Sequence, residues 1–108
     1  MTMIVGPAFT YGWISSEMKR ARDEVEASAG WTVAPDYASA LASVAASAGS
    51  LVAGRSVEFD DAHYALRHSA RYTGLIAMLG LREALDIIAD GLDSGARYPA
   101  DFWGWRDV

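Results

Sequence analysis

The chain has 108 residues, enough for one domain with a modest core; it carries a formal net charge of −5 and contains no cysteine. Disulfides and thiolate metal sites are therefore excluded, and a reducing, cytoplasmic setting is favoured. Eight of the nine basic residues are Arg, with Lys19 the only lysine, and an acidic chain of this kind suits a basic protein surface better than a phosphate backbone.

The opening residues 1–7 carry no basic side chain and too short an apolar run to read as a signal peptide. A first helix is expected to end at Gly30. Its start has two readings: Pro7 at a first helical position, or Ser15 as a later cap. Tyr11, Ile14, Met18, Ala21 and Val25 keep the spacing of one helical face. Lys19–Asp23, Arg20–Glu24 and Arg22–Glu26 are opposite charges at i, i+4, each adding about 0.2–0.5 kcal/mol. The later start would leave residues 3–5 and 8–13 extended, as a brief hairpin.

A second helix is expected from Pro35-Asp36 to about Gly54, with Tyr37, Leu41, Val44, Ala48 and Leu51 on its apolar face. Residues 37–54 contain no charge, yet Ser39, Ser43, Ser47 and Ser50 make them too polar for a membrane span. A helix without a charged face is usually an internal one. Ala38, Ala42 and Ala46 form a row of small side chains that lets another backbone approach, either within the bundle or from a second copy in a homo-oligomer.

The third helix opens at Asp60-Asp61, acids placed favourably against the helix dipole. It continues through Ala62, Leu66, Ser69 or Ala70, Thr73 and Ala77, with Arg67 and Arg71 one turn apart on a more polar side. Residues 74–81 are uncharged and are expected to be core. In the fourth helix Leu81, Ala84, Leu85, Ile88 and Leu92 make an apolar stripe. Glu83, Asp86, Asp90 and Asp93 occupy the other face against Arg82 alone. Gly91 weakens the last turn, and Ser94-Gly95 ends it. Gly80 either separates this helix from the third or kinks a longer one. The expected fold is an all-α bundle of three to four helices in one domain, 1–108, with an aromatic C-terminal tail.

Two patterns invite a chemical reading. Glu58-Phe-Asp-Asp61 and Glu83-Ala-Leu-Asp86 are two acid-x-x-acid pairs, and acids at i, i+3 on a helix share a face from which oxygen ligands can hold Mg²⁺. This resembles the metal-binding pattern of the MazG-like nucleotide pyrophosphohydrolases, small all-α enzymes. The resemblance covers those four positions and the surroundings of Glu83-Ala-Leu-Asp86-Ile-Ile, and departs from the family at Asp61, where a glutamate is expected. It implies Mg²⁺-dependent cleavage of nucleoside triphosphates, with Glu58, Asp61, Glu83 and Asp86 as metal ligands. The second pattern, Ile76-Ala-Met-Leu-Gly80-Leu-Arg-Glu-Ala, resembles the turn of a helix-turn-helix, one residue short between alanine and glycine. Asp86, Asp90 and Asp93 would then face the DNA phosphates, where positive and amide side chains are required.

His63 and His68 lie five apart and so point to different helical faces; His63 can meet Asp60, and His68 can meet Tyr64. Neither arrangement gives a three-ligand metal site, and no serine stands in a nucleophile motif. The tail carries Tyr98, Phe102, Trp103, Trp105 and Arg106, residue types that either clamp an alanine-rich bundle or anchor a partner. The reading that follows is a protein–protein interaction domain without catalytic residues or cofactors, an inhibitor or adaptor for a partner with a basic surface. Its binding residues would be Glu83, Asp86, Asp90, Asp93, Phe102, Trp103, Trp105 and Arg106. In size and charge it resembles phage-encoded inhibitors of nucleic-acid machinery. The alternatives are the Mg²⁺-dependent hydrolase and a structural, oligomer-forming subunit.

Overall fold

The computed structural model describes residues 4–100, and its elements are α1 (Pro7–Ser28), α2 (Tyr37–Ala53), α3 (Phe59–Tyr72), α4 (Leu75–Leu79) and α5 (Leu81–Gly95). No strand occurs among the described residues, so the all-α expectation holds. The hairpin alternative does not: residues 8–13 are helical. Pro7 sits in the first turn, where its fixed φ favours a helix and its missing N–H costs nothing. The Thr10 hydroxyl donates to the Gly6 carbonyl at 3.0 Å, and the Val5 N–H reaches Ser56 O at 2.9 Å. The segment leading into α1 is thereby tied to the α2–α3 connection.

Ile14 and Met18 of the α1 stripe are buried, as is Thr10, while Tyr11, Ala21 and Val25 are half-buried. Two of the three expected ion pairs form on its outer face, Arg20–Glu24 at 3.1 Å and Arg22–Glu26 at 4.0 Å. Asp23 pairs with Arg22 at 2.9 Å, rather than with Lys19. Arg22 also donates to the Thr73 carbonyl at 3.3 Å, joining α1 to the end of α3.

The uncharged α2 is the central helix, packed against all four others. Asp36 caps it by accepting the Ser39 N–H at 3.0 Å. Its most extensive partner is α5, and their contact is made through residues with little or no side chain. A Cβ on Gly49 would collide with the Leu92 backbone, one on Gly91 with Ala45, and one on Gly95 with the Ala46 backbone. The Ser50 hydroxyl donates to the Gly95 carbonyl at 2.9 Å. Gly91 and Gly95 are thus interface residues of a helix that runs through to Gly95. The alanine row is half-buried at the edge of this contact, and Ala46 already has its close partner within the chain.

The third predicted helix stops at Tyr72, short of Ala77, because Gly74 takes a left-handed φ of 85°. Gly80 repeats the device with φ 92°, and the chain between the two forms the short α4. The expectation that residues 74–81 are core is corrected. Leu75 is buried, Ile76 and Leu79 are half-buried, and Met78 and Leu81 are 62% and 54% exposed. Two left-handed turns so close together let α4 bury only one side of its single turn. The core itself is formed by Ile14, Met18, Leu41, Val44, Leu51, Leu66, Leu75, Ile88 and Leu92, with alanines filling the spaces between helices.

Candidate functional site: an acidic helix face and a basic groove

All four acids of α5 are exposed, on the side opposite the buried Ala84, Ile88, Gly91, Leu92 and Gly95. At 100° per residue, Glu83, Asp86, Asp90 and Asp93 fall within about 80° of the helix circumference. Asp93 meets Arg97 at 3.8 Å, with both side chains largely exposed. Glu83, Asp86 and Asp90 have neither an ion pair nor a hydrogen bond among the described residues. On α1 the opposite holds: Glu17 and Glu24 share Arg20, and Asp23 and Glu26 share Arg22. Uncompensated negative charge among the described residues thus lies in two places: at the start of α3, where Glu58, Asp60 and Asp61 complement the helix dipole, and along the outer face of α5.

The carboxylates of the pyrophosphohydrolase-like pattern do not assemble. Among the described residues, no three carboxylate or imidazole groups lie where they could hold a metal ion. Glu58 is the exposed N-cap of α3 and Asp61 lies in its first turn, while Glu83 and Asp86 face outward from α5. A metal site in a bundle needs ligands that project inward from facing helices. The placement is instead that of acids at a helix start, complementing its dipole, and acids on a solvated face.

Both histidines stack on aromatic rings of their own helix. His63 lies against Phe59, with centroids 5.8 Å apart, and His68 lies against Tyr64 at 4.0 Å. Tyr64 also meets Tyr11 of α1 at 6.3 Å.

Three hollows flank α5, one of them lined by Ala42, Ala46, Ile87 and Asp90; the two others also involve α3. One of these two, of about 340 Å³, is lined mainly by apolar groups of α2, α3 and α5, including Val52, Phe59 and Leu92, with His63 and Asp93 among them. The other, of about 310 Å³, is formed by Arg67, His68 and Arg71 of α3 with Ile76, Leu81 and Leu85. Sequence reasoning placed the two arginines on a polar side but missed this groove, having assigned Ile76 and Leu81 to the core. The signal for it was the pair Gly74 and Gly80, bracketing too few residues to complete a long helix. Phe102, Trp103, Trp105 and Arg106 lie outside the described residues. The chain approaches them along the end of α2, where the Ala100 N–H donates to Ser50 O at 2.9 Å.

No family model, no curated protein and no solved structure matches the chain. None of the described helices is long and apolar enough to cross a membrane.

Proposed function

We propose that the chain is a small acidic protein–protein interaction domain, an inhibitor or adaptor that docks the outer face of α5 on a basic protein surface. The observation that carries this reading is the set of exposed carboxylates Glu83, Asp86 and Asp90, aligned on one face and unpaired among the described residues. Neutralising such charges within the chain would have been easy, as α1 does it twice. Left free, they raise the local attraction for a cationic surface and speed encounter with it. No catalytic step is assigned to them, and the lack of cysteine fits a reducing compartment.

The test is binding of a fluorescent Arg/Lys-rich helical peptide to the full chain, followed by anisotropy over a salt series. Affinity is expected to fall steeply with salt, because exposed charges are screened beyond about 10 Å at 0.1 M. Asp86→Asn with Asp90→Asn should weaken binding about tenfold, whereas Glu58→Gln with Asp60→Asn, which changes net charge equally, should change it little. Equal effects from the two double variants would refute a specific α5 face.

A further inference from the structure

The groove beside α4 has the opposite character to the α5 face. Its apolar part is Ile76, Leu81 and Leu85, with Leu75 buried and the 62% exposed Met78 nearby in the sequence. Its polar part is Arg67 and Arg71, one turn apart on α3, with His68 stacked on Tyr64. The chain has 14 acidic residues for 9 basic ones, yet neither arginine has an ion pair or hydrogen bond among the described residues. Arg20, Arg22 and Arg97 find carboxylates, while Lys19, Arg55 and Arg82 do not; what sets Arg67 and Arg71 apart is that they line one hollow together with apolar side chains. The exposed Leu81 and the half-buried Ile76 and Leu85, beside unpaired cations, form a surface complementary to an amphipathic helix with acidic flanks. Carboxylates one turn apart on such a helix match arginines at i, i+4, and leucine-like anchors match the apolar strip.

The occupant can be narrowed. The α5 face of a second copy supplies carboxylates beside one half-buried apolar side chain, Ile87, rather than the two exposed anchors one turn apart that the apolar strip would take, and the acids of α1 are already paired. A nucleic acid would meet two arginines on a strongly acidic chain, too few to neutralise a phosphate backbone. We propose that this groove is a second docking site, for an amphipathic helical segment of a partner protein bearing acids one turn apart beside leucine-type anchors. With the α5 face at work as well, the chain would bridge two partners of opposite charge.

The experiment uses the full chain and a fluorescent synthetic helix with leucines at i and i+4 and glutamates one turn apart on its flank. Saturable binding is expected. Arg67→Glu with Arg71→Glu should weaken it at least about tenfold, since reversing both charges replaces attraction with repulsion. Leu81→Ser should weaken it through the apolar strip, and Asp86→Asn with Asp90→Asn should leave it unchanged, separating this site from the α5 face. A far-ultraviolet spectrum checks each variant for folding, and Arg71→Gln replaces the double reversal if that fails to fold. Absence of saturable binding, equal binding of a peptide with lysines in place of the glutamates, or binding indifferent to the arginine and Leu81 variants would each overturn the proposal.

Discussion

Ser69 is buried in the last turn of α3, and its hydroxyl is the one buried side-chain polar atom without a partner among the described residues. A buried donor left unmade costs about 1–3 kcal/mol, and alanine leaves only a small space where the oxygen was. Ser69→Ala is therefore expected to stabilise the chain by about 1 kcal/mol, seen as a rise in Tm of roughly 4 °C or more. A fall in Tm would show that the hydroxyl has a partner after all. At Tyr37 the phenol donates to Glu26 at 2.8 Å, and this hydrogen bond raises the phenol pKa above its usual value. The folded state thus holds the proton more tightly than the unfolded chain. The stabilisation is present below about pH 10 and is lost as pH rises through the raised value. Ultraviolet titration should show a late-ionising tyrosine that disappears in Tyr37→Phe. Single positions were legible in the sequence where the interaction is local, as with Asp36 capping α2 and His68 meeting Tyr64. They were illegible where burial depends on a distant element, as with the exposed Leu81.

Among helices, the same residue type has opposite effects. Gly12 in α1 has open space around its Cα, whereas Gly95 in α5 lies against the Ala46 backbone. Gly12→Ala is expected to stabilise by about 0.5–1 kcal/mol through helix propensity alone. Gly95→Ala gains the same propensity but must push α2 away, a net loss of about 1–3 kcal/mol. Chemical denaturation of the two variants checks both signs, and similar effects from both would mean that α2 and α5 do not approach closely. Read from sequence, Gly91 and Gly95 are a weakness at a helix end, because propensity is a property of one segment. Their role appears only when the facing residues Ala45, Ala46 and Gly49 are known. The periodicities of α1, α2, α3 and α5 did announce helices, since an apolar stripe needs no knowledge of its partner. The break into α4 went unread because one glycine in an apolar run is ambiguous between kink and stop.

Across the described residues, the acids of α1 are neutralised within the helix, whereas those at the start of α3 and on the outer face of α5 are free, and Arg67 and Arg71 are free beside α4. The exposure of Glu83, Asp86, Asp90 and Asp93 could be read from their opposition to the apolar stripe. Whether they met Glu58 and Asp61 could not, because convergence depends on how two helices cross. With those groups apart, millimolar Mg²⁺ is expected to leave the melting temperature unchanged. A native-only ligand at a hundred times its Kd would add about 2.7 kcal/mol, and a corresponding rise in Tm would revive the metal reading. The most direct test of the α5 face is amide chemical-shift mapping of the labelled chain with the Arg/Lys-rich peptide, at low and raised salt. The account predicts shifts centred on Glu83, Asp86 and Asp90 that shrink as salt rises. Shifts of equal size around Glu24 or Asp60, or none along α5, would contradict it.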